Sequence, residues 1–325
     1  MLSGVLFALA AGLIWGTVFV TPLLLPQYPG TLLAFGRYLA FGLIALPLAW
    51  QARRPLRLLA REDWIEALKL SVIGNLLYYL CLAAAIQRAG APLPTMIIGT
   101  LPVVIAIVSN ASERTVPWSR LAPALLVLSA GILLVNQTEL QRAMQLQGDP
   151  WRYAAGAGVA VLATACWTWY PVRNARWLRA RPALAASTWA TAQGLATLPL
   201  ALIGMILAIV YYRLLVPNPL DLPLGPEPQR FILWMLALGL LASWLGTLLW
   251  NAAARRLPTS LSGQLIVCET LSALCYAWLL RRTLPDLVTL AGLGLLLLGV
   301  ILGVRVFASP TTKALRRPTT GPASG

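Results

Sequence analysis

The sequence contains no histidine, and this absence removes several classes of chemistry. Histidine is the commonest zinc ligand and the usual general base, and proteolysis inside a membrane by a Ser–His pair would need it. The paired aspartate motifs that prenyl transfer requires are also missing from the apolar segments, and there is no GxxxxGK[ST] run for ATP. We therefore predict that the protein is not an enzyme and that it holds no metal or cofactor.

Charged residues are scarce. Only 11% of the 325 residues are charged, 59% are hydrophobic, and the mean hydropathy is +0.76. Soluble domains carry about 25% charged residues, so these values exclude a water-soluble chain. The net charge of +15 could suggest nucleic acid, but the arginines lie between apolar runs and form no single stripe. We interpret them as topology signals and lipid-headgroup contacts, so the expected partner is a lipid bilayer and not nucleic acid.

The four cysteines lie inside apolar runs and show no CxxC spacing; they are Cys81, Cys166, Cys268 and Cys275. Two helical turns separate Cys268 from Cys275, a rise of about 10 Å. That distance is too long for a disulfide bond. We predict that all four are small core residues.

Ten apolar segments predict ten transmembrane helices, because irregular backbone cannot face lipid. The first helix has no basic region before it and no convincing cleavage site, so we expect it to be retained. The sequence thus predicts an all-α integral membrane protein with spans 1–10 at about 3–24, 31–50, 68–87, 92–111, 120–136, 153–172, 183–212, 231–252, 259–280 and 287–306.

The chain contains an internal repeat. An offset of 152 aligns Trp15 with Trp167 and residues 42–49 with 194–201. An offset of 168 aligns residues 113–117 with 281–285 and Gly131 with Gly299, and one insertion at 217–226 explains the difference. Five spans in each copy give the copies opposite orientations, which is typical of secondary transporters. We predict a first repeat at 1–148, an inverted second repeat at 149–308, and a disordered cytoplasmic tail at 309–325.

Basic residues predict the orientation. If the N-terminus is cytoplasmic, the cytoplasmic segments hold 17 basic residues and the outer segments hold 7. Basic residues favour the cytoplasmic side, so we expect both termini to lie in the cytoplasm.

Two ionisable residues lie within spans. Glu269 is near the middle of span 9, where it is either protonated and structural or a site for a proton or a substrate amine. Arg37 lies about two turns into span 2, and its side chain could also snorkel to the outer headgroups.

Polar and aromatic side chains mark several spans. In span 3, Asn75, Tyr78 and Tyr79 have the spacings of 3 and 4 that place residues on one helical face. Three tryptophans lie deep in spans 1 and 6, away from the interfacial belt: Trp15, Trp167 and Trp169. Span 8 carries Ser243, Trp244, Thr247 and Asn251. Packing alone is the alternative explanation for the tryptophans.

Span 4 contains Pro102, which frees a backbone carbonyl and bends the helix. Freed carbonyls within a membrane are tolerated where they line a cavity, and there they could accept hydrogen bonds from a substrate amine. A kink that serves packing alone is the alternative.

These residues resemble the drug/metabolite transporter superfamily, particularly its EamA-type exporters. The similar elements are Trp15-Gly16, Leu101-Pro102-Val103-Val104, Cys268-Glu269-Thr270, and the late glycines Gly131 and Gly299. The resemblance covers nearly the whole chain, and the layout is most similar to aromatic amino-acid exporters of the YddG type. It implies a ten-helix basket whose cavity is lined by spans 1, 3, 4, 6, 8 and 9, and export of amino acids and similar metabolites.

We therefore predict a secondary transporter, an exporter or facilitator, that moves neutral or aromatic amino acids across the bacterial inner membrane by alternating access. The alternatives are a lipid flippase, and a sugar-phosphate or nucleotide-sugar carrier, for which Arg37 alone would be too few basic residues in the spans. The predicted substrate-binding residues are Trp15, Asn75, Tyr78, Tyr79, Pro102, Trp167, Trp169, Trp244 and Glu269.

Overall fold

The structure is a computed structural model that describes residues 1–89, 92–137, 150–216, 225–282 and 285–308. Within these ranges the regular elements are helices, as the sequence predicts. Spans 1 and 2 are Leu2–Leu24 and Gly30–Gln51, and a short helix follows at Arg53–Arg57. Spans 5, 6, 7 and 10 are Trp118–Val135, Pro150–Ala180, Ala186–Leu214 and Leu287–Ala308.

The other four spans are interrupted. Span 3 consists of Arg61–Leu70, a π-helical segment Ser71–Leu77, and Tyr78–Ala89. Span 8 has the same form, with Pro228–Leu238, a π-helical segment Gly239–Leu245, and Gly246–Ala254. Span 4 consists of Pro92–Gly99 and Leu101–Glu113, and span 9 of Thr259–Leu265 and Val267–Arg281.

Eight of these helices are individually long and apolar enough to cross a membrane. Span 4 does so as two shorter helices, and span 6, at 31 residues, is long enough but less apolar. The predicted start of span 3 at residue 68 is wrong, because Arg61–Leu70 is also helical. The Asp63 carboxylate accepts a hydrogen bond from the Ala60 amide (2.9 Å) and caps this amphipathic turn, which hydropathy alone does not detect. The tail at 309–325 and most of the insertion at 217–226 lie outside the described residues.

The two repeats are inverted, as packing of spans 5 and 10 shows. A Cβ atom at Gly131 would lie 2.9 Å from the Leu296 amide, and one at Gly299 would lie 2.6 Å from Leu128. Leu128 and Leu296 are equivalent by the offset of 168, as are the two glycines, so the contacts are reciprocal. Residue numbers rise along one helix as they fall along the other. Equivalent helices therefore run antiparallel, as two copies of opposite orientation must.

Spans 2 and 7 repeat this arrangement. A Cβ atom at Gly42 would lie 2.6 Å from Leu198, one at Gly194 would lie 2.7 Å from Ala45, and one at Gly204 would lie 2.1 Å from Phe35. These contacts also run in opposite directions along the two helices. The glycines permit the close approach of backbones on which helix packing in membranes depends.

Two backbone irregularities recur at the same offset of 168. The π-helical segments Ser71–Leu77 and Gly239–Leu245 correspond residue for residue. The left-handed residues Arg114 (φ 47°) and Arg282 (φ 52°), which end spans 4 and 9, are also equivalent. The repeat thus preserves costly local geometry as well as sequence, because π segments and left-handed non-glycine residues are rare.

One end of the molecule, which we call the basic end, comprises the loops between spans 2 and 3, 4 and 5, 6 and 7, and 8 and 9. Four ion pairs join the repeats there: Glu66–Arg173, Glu62–Arg181, Asp63–Arg181 and Glu113–Arg179. In each pair the acid belongs to the first repeat and the arginine to the second. At the opposite end, Tyr28 stacks on Phe231 at 4.7 Å, and the described residues form no ion pair between repeats.

All four cysteines are free, but the prediction that all are core residues is wrong for one of them. Cys81 and Cys166 are buried and Cys268 is half-buried, whereas Cys275 is exposed on the surface of span 9. Core and lipid-facing positions in a membrane protein are both apolar, so hydropathy cannot separate them.

Candidate functional site

Trp15 lies in span 1 against the π-helical segment of span 8. Its indole N–H donates to the carbonyl of Ala242 at 2.8 Å, so this half-buried donor has a partner. A Cβ atom at Gly246 would lie 2.5 Å from the indole nitrogen, and the glycine therefore makes room for the ring. π segments place carbonyls outside the regular helical ladder and often lie at functional sites.

A cluster of rings surrounds Trp167, the repeat equivalent of Trp15. The centroid of Trp167 lies 6.0 Å from that of Trp15 and 6.1 Å from that of Tyr78, both in edge geometry, and 6.0 Å from that of Tyr170. Trp250 packs on Trp15 at 5.4 Å. We call Trp15, Tyr78, Trp167, Tyr170 and Trp250 the ring cluster. It brings together spans 1, 3, 6 and 8, which come from both repeats.

Glu269 lies beside the ring cluster in span 9. Its backbone is close to Gly12, where an added Cβ atom would lie 3.0 Å from the Glu269 amide. Its side chain is half-buried, and no described residue forms a hydrogen bond or an ion pair with its carboxylate.

Arg37 approaches the same site from span 2. Its guanidinium lies 4.4 Å from the centroid of the Tyr38 ring, and its Nε atom is buried with no hydrogen-bond partner. The Tyr38 ring and the surrounding spans therefore enclose part of this side chain.

Asn75, Tyr78 and Tyr79, which we expect on one helical face, contact three different spans. Asn75 donates to the Thr197 hydroxyl in span 7 at 3.5 Å, Tyr78 packs on span 6, and Tyr79 packs on Phe35 of span 2 at 6.5 Å. Asn75 also lines a gap beside Phe35. Asn75 and Tyr79 therefore have a common neighbour, whereas Tyr78 turns towards span 6.

Two of the predicted tryptophans lie away from the ring cluster. Trp169 packs with the buried residues around Leu178 and Trp189 towards the basic end. Trp244 donates from its indole N–H to the Thr191 hydroxyl at 3.1 Å and packs near Phe41. Their geometry is that of side chains that hold spans together.

Pro102 lies at a break in span 4. The helix ends at Gly99 and resumes at Leu101, and the Thr100 hydroxyl donates to the Ile97 carbonyl at 2.6 Å. Proline has no amide hydrogen to donate to the carbonyl four residues earlier, that of Ile98. Pro102 itself is buried, so any role in binding falls to the backbone.

A buried polar network beside the ring cluster was not predicted from the sequence. The Asn174 carboxamide donates to Asn251 at 2.8 Å and accepts from Trp189 at 2.8 Å and from Gln193 at 3.1 Å. Tyr170 in turn donates to Gln193 at 3.4 Å, which links the network to the rings. The signal for it was a glutamine inside the 29-residue apolar helix of span 7, since polar groups at that depth need partners.

Two cavities differ in size and place. A gap of about 10 Å³ lies between spans 2, 3 and 7, beside Tyr38, Asn75 and Thr197. A cavity of about 460 Å³ opens at the basic end and is lined by Ala185, Ala186, Ala252, Arg255 and Arg256. Bound small molecules usually occupy sites much larger than the gap. The gap must therefore widen before it can hold a solute.

The paired antiparallel spans, the interrupted helices 3, 4, 8 and 9, and a central site at the repeat interface define a membrane transporter built from two inverted repeats. The chain belongs to the EamA-like transporter family, whose pattern matches residues 2–137 and 154–305. It matches twice, once in each repeat. The predicted border between repeats, 148–149, lies outside the described residues and remains a prediction.

Two individual proteins are also similar. The chain is 51% identical over 309 residues to the inner membrane protein YtfF of Escherichia coli (strain K12), across 94% of this chain and 96% of the relative. A solved crystal structure of another protein, 20% identical with a TM-score of 0.71, covers 97% of this chain and 99% of its own. At that identity it supports the fold alone. The family membership expected from sequence is confirmed, and the finer likeness to aromatic amino-acid exporters remains a prediction.

Proposed function

We propose that this chain is a secondary transporter that exports neutral and aromatic amino acids across the bacterial inner membrane. The observation that carries the proposal is the ring cluster at the repeat interface, with one acid and one base beside it. Trp15, Tyr78 and Trp167 present ring faces and edges from three different spans. Such rings prefer aromatic and apolar side chains. The similarity to an inner membrane protein supports the location.

The charges near the centre favour a neutral solute over an anionic one. Arg37 and Glu269 supply one charge of each sign to the spans around the site, so its formal charge is balanced. A sugar phosphate or nucleotide sugar carries two or more negative charges, and Glu269 would repel it. A phospholipid would need an apolar route for two acyl chains, whereas a network of polar side chains borders the ring cluster.

Alternating access follows from the two-fold arrangement of the repeats. The site lies where spans 1, 3, 6 and 8 meet, and rocking of one repeat against the other would open one end while closing the other. Ion pairs hold the basic end, whereas stacked rings and hydrogen bonds hold the opposite end. The two closures differ in chemistry, so salt should affect them differently.

The first test measures uptake by the purified full chain in proteoliposomes. We expect saturable uptake of labelled phenylalanine, tryptophan or leucine, and no uptake of glucose 6-phosphate. Fluorescent phospholipid in the same vesicles should stay in its original leaflet. Uptake of sugar phosphate, or movement of lipid without movement of amino acids, would refute the proposal and favour one of the two alternatives.

A variant of the ring cluster provides a second test. Trp167→Leu removes the ring at the centre of the cluster. Loss of one ring contact with the substrate costs about 0.5–1.5 kcal/mol, so the KM for phenylalanine should rise about two- to tenfold. The KM for alanine, which offers no ring, should change much less. Trp118→Leu is the matched control, because Trp118 is 47% exposed and lies outside the cluster. Equal changes in the KM for phenylalanine and for alanine would show that the rings do not recognise the side chain of the substrate.

We propose that the basic end lies in the cytoplasm, with both termini on that side. The ion pairs and loops described above place Arg173, Arg179, Arg181 and Arg255 at one end, as the positive-inside rule requires. A green fluorescent protein fused after Gly325 should fluoresce, and alkaline phosphatase fused there should be inactive. An active phosphatase would reverse the orientation.

A further inference from the structure

We propose that Arg37 and Glu269 bind the two ends of a zwitterionic α-amino acid, the guanidinium taking the carboxylate and the Glu269 carboxylate taking the ammonium group. The inference rests on the proposed function, and it names the residues that would make the transporter require both charged groups of its substrate. Trp15 and Tyr78, between these two residues, would then face the side chain of the bound amino acid.

Among the described residues, neither charge has a hydrogen-bond or ion-pair partner. The Nε atom of Arg37 is buried without a hydrogen bond, and the guanidinium lies over the Tyr38 ring at 4.4 Å. No described residue bonds to the carboxylate of Glu269. A charged side chain deep in a membrane costs at least about 2.5–3.5 kcal/mol, so such residues ordinarily pair with something. The missing partners are explained if a ligand supplies them.

The two charges do not neutralise each other, because no ion pair within 4.0 Å joins Arg37 to Glu269. A gap between opposite charges can accept a group that carries both signs. Charge-assisted hydrogen bonds of about 2.8 Å to each end of such a group would bridge it.

The two charges lie at different levels along the spans. Spans 1 and 8 run antiparallel, since Gly4 contacts Leu257 and Trp15 contacts Ala242 and Gly246. Glu269 lies at the level of Gly12, about one turn from Trp15 towards the basic end. Arg37 follows Gly36, and a Cβ atom at Gly36 would contact Met235 of span 8. Met235 lies about two turns from Ala242, away from the basic end. The acid and the base therefore approach the ring layer from opposite ends of the molecule.

This arrangement predicts discrimination between chemical classes. An amine without a carboxylate leaves Arg37 unpaired, and an acid without an amine leaves Glu269 unpaired and repels it. A site with buried polar groups rejects ligands that leave them unsatisfied. The apolar rings alone would accept all three kinds of molecule.

The test uses the full chain in proteoliposomes, with labelled phenylalanine as the tracer. Phenylalanine, phenethylamine and 3-phenylpropionate share one ring and differ only in their charged groups. For the wild type we expect phenylalanine to inhibit tracer uptake about ten- to hundredfold more tightly than either analogue, because each lost charged hydrogen-bonding group has an effect of that size.

Two variants should separate the ends. Arg37→Gln should weaken inhibition by phenylalanine and 3-phenylpropionate about tenfold or more and should not weaken inhibition by phenethylamine, whose ammonium group Arg37 repels. Glu269→Gln should weaken inhibition by phenylalanine and phenethylamine and should not weaken inhibition by 3-phenylpropionate, whose carboxylate Glu269 repels. The analogue that still binds demonstrates in each case that the site is folded. Arg230→Gln is the matched control, because Arg230 is 50% exposed and pairs with Glu227 on the surface.

The outcomes distinguish the inference from the proposed function. If the wild type does not move phenylalanine or any other amino acid, the proposed function itself fails. If the wild type does move it but each variant weakens all three inhibitors equally, the inference alone fails. Retention of wild-type selectivity in Arg37→Gln or Glu269→Gln also overturns the inference. Where a variant binds none of the three, Arg37→Lys and Glu269→Asp repeat the test, and uniform loss in these too counts against it.

Discussion

Gly292→Leu should destabilise the protein strongly, whereas Gly294→Leu, two residues further along the same span, should be tolerated. A Cβ atom at Gly292 would lie 2.8 Å from the Val135 side chain and 2.9 Å from the Val135 backbone amide, which cannot move aside. Nothing lies within 4 Å of a Cβ atom at Gly294. Overpacking a tight contact costs about 1–3 kcal/mol, and this contact joins the two repeats.

Thermal unfolding of the two variants in detergent, followed by tryptophan fluorescence, measures the difference. The midpoint for Gly292→Leu should fall well below that for the wild type, and the Gly294→Leu midpoint should stay close to it. Gly156→Leu and Gly158→Leu form a second pair in span 6, since only Gly156 meets a neighbour, the Cβ atom of Ala89 at 2.6 Å. Equal midpoints within both pairs would contradict the packing described for the inverted repeats.

Arg173→Leu should be the most destabilising single change at the basic end. Arg173 forms two hydrogen bonds with Glu66, whose side chain is only 2% exposed, while that of Arg173 is 42% exposed. Removal of the arginine leaves a buried carboxylate without a counter-charge, and such losses cost about 3–5 kcal/mol. Glu66→Gln should cost less, because the unpaired arginine can still reach water.

The double variant Glu66→Gln with Arg173→Leu is the decisive comparison. It removes the buried charge together with its partner, so it should be more stable than Arg173→Leu alone. A double-mutant cycle from chemical denaturation gives the coupling energy. Strict additivity would show that the ion pair does not hold the repeats together at this end.

Several features of the fold followed directly from the sequence. Ten apolar runs predicted ten spans, since only helices satisfy the backbone within lipid. The repeat at an offset of 168 predicted that Gly131 and Gly299 would be equivalent, and their contacts with Leu296 and Leu128 confirm it. Both predictions depend on patterns that are local to the chain or that repeat within it.

The composition of the site followed only in part. Trp15 and Trp167 were identified because deep tryptophans are unusual and these two coincide across the repeat, and they do meet. Trp169 and Trp244 had equally unusual positions, yet they pack elsewhere. Depth in a span can be read from hydropathy, but the direction in which a side chain points depends on how the spans are rotated.

The tertiary structure alone decided the faces of the helices. Asn75, Tyr78 and Tyr79, which α-helical spacing placed together, contact spans 7, 6 and 2. The exposure of Cys275 and the buried network around Asn174 were equally hidden. Core and lipid-facing surfaces are both apolar, so the sequence by itself determined the number, order and inversion of the spans. Their rotation, and with it the meeting of rings from spans 1, 3, 6 and 8, depended on close backbone contacts between residues far apart in the chain.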